Sequence, residues 1–193
     1  MNHAVTVPLT RTGIPDGKLG MWIFLATEIM FFTGLIGSYI VLRFGSPAWP
    51  RPGDVLNTTL LAVNTLVLIT SSLTMALGLD AIQRGRARVC ARFLLLTALL
   101  GCVFLGIKAF DYQHMWHRGF TITTNLFGNC YYLLTGFHAL HVVGGVVLLL
   151  YLWGLTLRGR LTADHWGRIE YGGLYWHFVD VVWVLLFAIL CLV

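Results

Sequence analysis

Residues 19–42 read LGMWIFLATEIMFFTGLIGSYIVL, an apolar run interrupted by one carboxylate, Glu28. A membrane-spanning helix needs about 20 predominantly apolar residues, so this run is long enough to cross a bilayer. A carboxylate near the centre of such a helix costs about 2.5–3.5 kcal/mol on insertion scales, and residues retained at that cost generally mark functional sites. The run therefore predicts a membrane protein and singles out Glu28.

The composition of the whole chain agrees with an integral membrane protein. Of the 193 residues, 58% are hydrophobic and 11% are charged, whereas a soluble domain carries about 25% charged residues. The formal net charge of +5 favours contact with anionic lipid headgroups over contact with nucleic acid. The four cysteines lie far apart without a Cys-x-x-Cys pair, which argues against disulfides and against a cysteine metal site.

Four further segments have the length and hydropathy of a span. Turn-rich or basic loops separate them, including the proline-rich residues 46–53 and the Arg-Gly-Arg sequence at residues 158–160. The five predicted spans cover residues 19–42, 55–79, 93–110, 127–157 and 171–193, and the third is the shortest. The sequence thus predicts an all-α fold, a polytopic membrane helix bundle with five transmembrane helices. A polar segment covers residues 1–18 and one membrane domain covers residues 19–193.

Basic residues are distributed unevenly between the two sides of this bundle. Most of them fall in the N-terminal segment, in the loop between the second and third spans and in the last loop. The two opposite loops contain only Arg43, Arg51 and Arg118. By the positive-inside rule, we predict that the N-terminus is cytoplasmic and the C-terminus lies outside.

The fourth predicted span carries two polar residues of interest. His138 and His141 are three residues apart, so they share one face of the helix. They are either a pair of ligands or proton carriers near mid-membrane, or two neutral imidazoles that hydrogen-bond to other helices. Glu28 has two similar interpretations: a role in proton handling or lipid contact, or a neutral carboxyl bonded to a neighbouring helix.

The fifth predicted span carries a polar stripe. Glu170, Gly173, His177 and Asp180 fall within one arc of about 80° around the helix axis. Lipid would penalise such a stripe, so it must face protein. Because Asp180 has about the same predicted depth as Glu28, we hypothesise that a buried polar cluster links their helices. A structural hydrogen-bond network is the alternative interpretation.

Two other functional classes fit the sequence less well. Bis-histidine haem ligation needs two imidazoles that face one cavity from different helices. His177 lies only about 9 Å from the end of its predicted helix, which does not match the mid-membrane depth of His138 and His141. A carrier would often show repeated halves or broken mid-membrane helices, and the five spans show no repeat.

Three stretches of the chain resemble the signature motifs of subunit III of the haem-copper oxidases, and the cytochrome c oxidase branch is the most similar. They are GMWIF running into EIMFF at residues 20–32, TGFHALHV at residues 135–142, and YWHFVDVVW at residues 175–183. Their order and spacing agree with the family. Together with the five spans, the resemblance covers residues 18–193.

The resemblance implies roles for the polar residues already singled out. Glu28 matches the family's intramembrane carboxylate, which reacts with carbodiimides. His138 and His141 match helix histidines that can pair with it. Glu170, His177 and Asp180 match the signature of the last helix. No catalytic or metal-binding residue is implied for this chain.

The resemblance also implies a function and a set of partners. In the family, subunit I holds the haems and a copper, subunit II receives electrons from cytochrome c, oxygen is reduced to water and protons are pumped. Subunit III binds no redox cofactor, stabilises subunit I, holds structural phospholipids and supports proton uptake. We therefore expect this chain in the inner membrane of a bacterium, beside subunits I and II of an aa3-type oxidase in aerobic respiration. Membership of a respiratory supercomplex stays open.

The sequence departs from the longer family members in lacking two N-terminal helices. Those helices form one wall of the lipid cleft in the seven-span form, so another subunit is expected to supply that wall. Within the family, subunit III of a quinol oxidase is the alternative, and an accessory subunit for nitric oxide reduction is a second one. A copper-binding Cys/His/Met set in the neighbouring subunit II would indicate cytochrome c as electron donor, and its absence would indicate quinol.

Overall fold

The computed structural model describes residues 13, 15–47, 49–50, 52–123 and 125–191. Within these residues, five helices are long and apolar enough to cross a membrane. The helices in chain order are α1 (Asp16–Gly45), the short α2 (Pro52–Val55), α3 (Thr58–Gln83), α4 (Ala87–His117), α5 (Leu126–Leu157) and α6 (Trp166–Cys191). A 3-10 turn at Ala163–His165 leads directly into α6. The predicted all-α fold with five spanning helices is confirmed.

One predicted span differs clearly from the observed helix. α4 contains 31 residues, whereas the sequence predicted the shortest span at residues 93–110. The prediction was wrong because Lys108 and Asp111 end the apolar run without ending the helix. Both side chains are buried and paired with each other, so the helix continues for another turn and more beyond them.

α3, α4, α5 and α6 form a four-helix bundle, and α1 lies against its outside. Within the bundle, α3 and α5 each pack against both α4 and α6, while α1 packs against α6 and α5. The buried residues of α1 are Leu25, Phe32 and Tyr39, which recur every seven residues. Residues that recur every seven positions form one narrow stripe along a helix, and here this stripe is the part of α1 that contacts neighbouring helices. Most of the apolar surface of α1 is therefore left uncovered within this chain.

Trp176 of α6 contacts the three other helices of the bundle. Its fully buried indole lies between Gly101 of α4 and Gly145 of α5, and a Cβ on either glycine would lie 2.7 Å from a ring carbon. The Nε1 atom donates a hydrogen bond of 2.9 Å to the Ser71 hydroxyl of α3. Small residues usually let two membrane helices approach closely. Here they provide the space for a bulky side chain that holds four helices in register.

Trp183 repeats this arrangement two turns later along α6. Its Nε1 donates a hydrogen bond of 3.0 Å to Thr65 Oγ1 of α3. Its ring packs edge-on against Phe104 of α4 and beside the imidazole of His138 of α5, with centroids 4.9 Å apart in both cases. The two tryptophans thus give α6 polar contacts to α3 and aromatic or close contacts to α4 and α5.

A buried ion pair within α4 is joined to α5 by a tyrosine hydroxyl. Lys108 Nζ lies 3.0 Å from Asp111 Oδ2, and it also donates a hydrogen bond of 2.6 Å to the Tyr131 hydroxyl. That hydroxyl donates in turn to Asp111 Oδ2, at 2.6 Å. Both charged residues are only 2% exposed. This cluster was not predicted from the sequence, although two opposite charges three residues apart on one helix are a recognisable signal.

Replacing Gly101 by alanine tests the role of the space around Trp176. The new Cβ would lie 2.7 Å from the indole and 2.8 Å from Val146 Cγ2, and overpacking of this kind costs about 1–3 kcal/mol. We expect a lower midpoint in a denaturing-detergent titration followed by tryptophan fluorescence. Gly106→Ala is the matched control on the same helix, because a Cβ added there would have nothing within 4 Å. Equal midpoints for the two variants would contradict this account.

Removing one member of the buried ion pair should lower the stability of the protein more than removing both members. Asp111→Leu leaves the Lys108 ammonium unpaired in an apolar interior, and breaking a buried pair in this way costs about 3–5 kcal/mol. The double variant Lys108→Met with Asp111→Leu leaves no unpaired charge, and we expect it to regain most of the lost stability. The same titration measures both. A double variant as unstable as the single one would show that the ion pair itself is required.

Candidate functional site

Glu28 and His141 form a polar pair between α1 and α5. Glu28 Oε2 lies 3.0 Å from His141 Nε2, and the two side chains are 19% and 16% exposed. The pair is therefore mostly buried, but part of each side chain remains accessible from outside the chain. It is the one ion pair or hydrogen bond between α1 and α5 that the described residues show.

The geometry of the imidazole fixes how many protons the pair can share. His141 Nδ1 lies 2.7 Å from the backbone oxygen of Phe137, and because a carbonyl can only accept, Nδ1 must carry a hydrogen. Nε2 is then either an acceptor facing a protonated Glu28 or a donor facing a carboxylate. In both forms one proton lies between Oε2 and Nε2, and the pair as a whole is uncharged.

Aromatic side chains surround this pair. The Phe32 ring packs edge-on against the His141 imidazole at a centroid distance of 5.0 Å, and Phe31 packs against Phe137 at 5.1 Å. The Tyr175 hydroxyl of α6 donates a hydrogen bond of 2.9 Å to the backbone oxygen of His141. These contacts fix the position of the imidazole and keep it in an apolar setting, where electrostatic interactions are stronger than in water.

The two histidines of the fourth span contact different parts of the protein. His138 is fully buried, and neither ring nitrogen has a hydrogen-bond partner among the described residues. Its ring packs against Phe104 and Trp183 in the interior of the four-helix bundle. His141, one turn later, points outward to α1 instead. The three-residue spacing placed them on one side of α5, but that side faces two different neighbours.

The polar stripe of α6 is likewise divided between two neighbours. Glu170 accepts a hydrogen bond of 2.8 Å from the Lys18 ammonium at the start of α1. His177 Nδ1 lies 2.5 Å from the Ser72 hydroxyl of α3. Asp180 is 6% exposed, and neither of its carboxylate oxygens has a hydrogen-bond partner in the described part of the chain.

The structure does not bring Glu28 and Asp180 together in one polar cluster. Glu28 is bonded to His141 on the α5 side of α1, whereas Asp180 lies beside α3 in a cavity with Ser72 and His177. The hypothesis rested on similar depth along two helices. Depth alone does not determine which way a side chain points around its helix.

The partners of these residues were not predicted from the sequence. Lys18 is one of the basic residues of the N-terminal segment, Ser72 has no distinguishing signal in the sequence, and Tyr175 belongs to the YWHFVDVVW motif. A lysine at the start of one span and a glutamate at the start of another on the same side offered a usable signal for the Lys18–Glu170 pair. The Ser72 contact had none, because serines are common in membrane helices at close contacts.

Metal ligation receives no support from the side-chain positions. Within the described ranges, no group of three or more His, Cys, Asp or Glu side chains is placed to hold a metal ion. The four cysteines are all free and lie at Cys90, Cys102, Cys130 and Cys191.

Comparison with known proteins gives a consistent result. The family model for cytochrome c oxidase subunit III matches residues 7–192. Cytochrome c oxidase subunit 3 of Synechocystis sp. is 40% identical over 184 residues, covering 93% of this chain and 77% of the relative. The same subunit of Thermostichus vulcanus is 37% identical over 178 residues, covering 91% and 87%. The probable cytochrome c oxidase subunit 3 of Nocardia farcinica is 36% identical over 172 residues, covering 89% and 85%.

The family model and these relatives each cover nearly the whole of this five-helix chain. The chain therefore belongs to the cytochrome c oxidase subunit III family, a membrane component of an oxidoreductase complex that works beside other oxidase subunits.

Proposed function

We propose that this chain is the non-catalytic subunit III of an aa3-type cytochrome c oxidase in a bacterial inner membrane. It stabilises subunit I and supports proton uptake while oxygen is reduced to water by haem and copper in the partner subunits. The observation that carries the proton-handling part of the proposal is the Glu28–His141 pair. It is a titratable couple in an apolar aromatic setting, on the face of the bundle to which α1 is attached.

The pair can act as a local proton buffer. Its uncharged state holds one proton between Glu28 Oε2 and His141 Nε2. Losing that proton leaves a net negative charge on the pair, and gaining a second leaves a net positive charge. A nearby proton pathway that is transiently depleted or filled can exchange one proton with the pair. Neither protonation change requires a backbone movement. The Phe137 carbonyl accepts a hydrogen bond from His141 Nδ1, and the Tyr175 hydroxyl donates one to the His141 backbone oxygen, so both contacts hold the histidine on the side away from Glu28.

The exposed surface of α1 supports the structural part of the proposal. Exposed apolar side chains cover most of α1, among them Trp22, Ile23, Met30, Val41 and Phe44, each more than half exposed. In a membrane such a surface faces lipid or the helices of a neighbour. By the positive-inside rule, the distribution of basic residues favours a cytoplasmic N-terminus. Phospholipids and the helices of subunit I are the neighbours we propose for this surface.

Subunit III of a quinol oxidase is the alternative function. The names of the relatives favour the cytochrome c branch. Purifying the native assembly and determining its subunits separates the two. We expect a subunit II that binds copper and an assembly that oxidises reduced cytochrome c. An assembly without that copper that oxidises only quinol would contradict the cytochrome c assignment while leaving family membership intact.

Glu28→Gln tests the buffering role directly. The glutamine amide can still donate a hydrogen bond to a neutral His141, so we expect the oxidase to assemble normally. It cannot take up or release a proton, so proton uptake should slow, or activity should decline several-fold faster during sustained turnover. Stopped-flow pH measurements and progress curves of oxygen consumption check both. Asp80→Asn is the matched control, since Asp80 is half exposed and paired only with Arg84. Unchanged proton uptake together with unchanged turnover lifetime would count against the role of Glu28.

A further inference from the structure

A groove between α3 and α6 on the surface of the four-helix bundle holds a cavity of about 380 Å³. Its rim is aliphatic and 41% to 59% exposed, and consists of Ile69, Val181, Val184 and Leu185. The polar residues that line it are Ser72, His177 and Asp180. Sites for small molecules are clefts of about 300–1,000 Å³ with a mostly apolar lining and a few convergent polar groups. The cavity meets this description.

Ser72 connects the other two polar residues of the cavity. Its hydroxyl lies 2.5 Å from His177 Nδ1. It also interacts with the buried Asp180 carboxyl, although the geometry of that contact falls short of a well-formed hydrogen bond. A hydroxyl has one hydrogen, so it donates to one of these neighbours at a time, whereas a carboxylate offers about four acceptor positions. Ser72 therefore occupies at most part of the hydrogen-bonding capacity of Asp180.

His177 also has a nitrogen left for a ligand. Its one hydrogen bond among the described residues is that of Nδ1 with Ser72. If Ser72 donates to Nδ1, Nε2 carries the hydrogen of the neutral ring, and if Nδ1 donates to Ser72, Nε2 is an acceptor. A hydroxyl group can donate and accept, so it fits both arrangements.

The spacing of His177 and Asp180 favours a ligand with two polar groups. The two residues are three apart on α6, so their side chains are neighbours with about 5–6 Å between Cβ atoms. A molecule with hydroxyl groups at opposite positions of one ring can bond to both residues at once. An alcohol with one hydroxyl reaches only one of them, and a fatty acid brings a second carboxyl beside Asp180, which like charges disfavour.

The depth of Asp180 excludes the headgroup of a phospholipid. It lies fourteen residues after Trp166 and eleven before Cys191, which places it about 21 Å and about 17 Å from the two ends of α6. The hydrocarbon core of a bilayer is about 30 Å thick, so a headgroup at its surface does not reach this position. A ligand of this cavity has to be soluble in the hydrocarbon core and to enter past the aliphatic rim.

We infer that the α3–α6 groove binds a lipid-soluble quinol, with one hydroxyl on Asp180, the other on His177 Nε2 and the ring between the aliphatic side chains of the rim. Binding alone is inferred, and no electron transfer is assigned to the groove. The site depends neither on the buffering role of Glu28 nor on the electron donor of the assembled oxidase. Failure of one of these proposals is therefore distinguishable from failure of the others.

Photolabelling tests whether a quinol occupies the groove. A quinol with a photoreactive diazirine beside the ring is illuminated with the purified native assembly, and adducts are located by peptide mass spectrometry. We expect adducts on the rim, at Ile69, Val181 or Val184. Val147 of α5, which is 62% exposed, reports labelling from the bulk lipid phase. Rim labelling no stronger than that of Val147 would overturn the inference, whether a protein helix, a phospholipid or no ligand occupies the groove.

Competition separates a quinol site from a general apolar groove. An excess of unlabelled quinol with the same tail should remove the rim labelling. An alcohol with that tail and a single hydroxyl, at the same concentration, should leave most of it, because it satisfies only one of the two polar residues. Equal competition by the two compounds would overturn the inference.

Substitution of the polar residues tests the hydrogen bonds. Asp180→Leu should lower rim labelling about tenfold or more, since a hydrogen bond to a charged group contributes enough for such a change in affinity. His177→Leu should lower it several-fold. Asp80→Leu is the matched control on α3, because Asp80 is half exposed, lies outside the cavity and is paired with Arg84. Unchanged labelling in both Asp180→Leu and His177→Leu would contradict the assignment.

Filling the cavity gives an independent readout that keeps its polar residues. Val184→Trp places a large apolar side chain in an open space, so the chain should still assemble while the quinol is excluded. Labelling of Ile69, on the facing helix, should then fall to the level of Val147. Val147→Trp makes the same change on α5 and should leave the labelling of Ile69 unchanged. Full labelling of Ile69 in Val184→Trp would overturn the inference even if the Asp180 variant failed to assemble.

Discussion

The position of the Trp176 indole between Gly101 and Gly145 is the constraint on which the rest of this bundle depends. In a membrane, apolar burial alone does not drive helices together, because lipid tails are as apolar as the side chains they would replace. Shape and hydrogen bonding must then select the arrangement. Trp176 provides both, since its ring fits a space that only glycines leave and its Nε1 finds Ser71 on the third helix. α6 is thereby held against α3, α4 and α5 at once.

With α6 fixed in this way, its two outer faces meet different surroundings. One face carries Tyr175 toward His141 and, with α5, receives α1. The other carries His177 and Asp180 toward α3 and the open groove. The polar residues of the last helix are therefore not one functional unit. Rotation around a single well-anchored helix directs Glu170 to Lys18 of α1, and His177 and Asp180 to the cavity beside Ser72 of α3.

The sequence predicted the class of fold and the important residues better than their contacts. Five apolar runs sufficed for five helices because length and hydropathy are what a bilayer requires of a span. The prediction failed for α4, where Lys108 and Asp111 neutralise each other inside the protein, and hydropathy counts each of them as if it faced lipid. Glu28 and His141 were singled out by their chemistry, and their pairing followed the resemblance. The separation of His138 from His141 was not predictable, because it depends on which neighbouring helix lies beside each turn of α5.

A comparison of Glu28 with Asp180 shows why the two carboxyls should serve different purposes. Both lie in apolar helices and both carry the cost of burial, but Glu28 is hydrogen-bonded to His141, whereas Asp180 lines a cavity with Ser72 and His177. A carboxyl that shares a proton with a titratable partner can release that proton or accept a second one, which suits a buffer. Depth in the membrane alone therefore does not assign a role to a carboxyl, and the proton that Glu28 shares with His141 makes Glu28 the candidate for proton exchange.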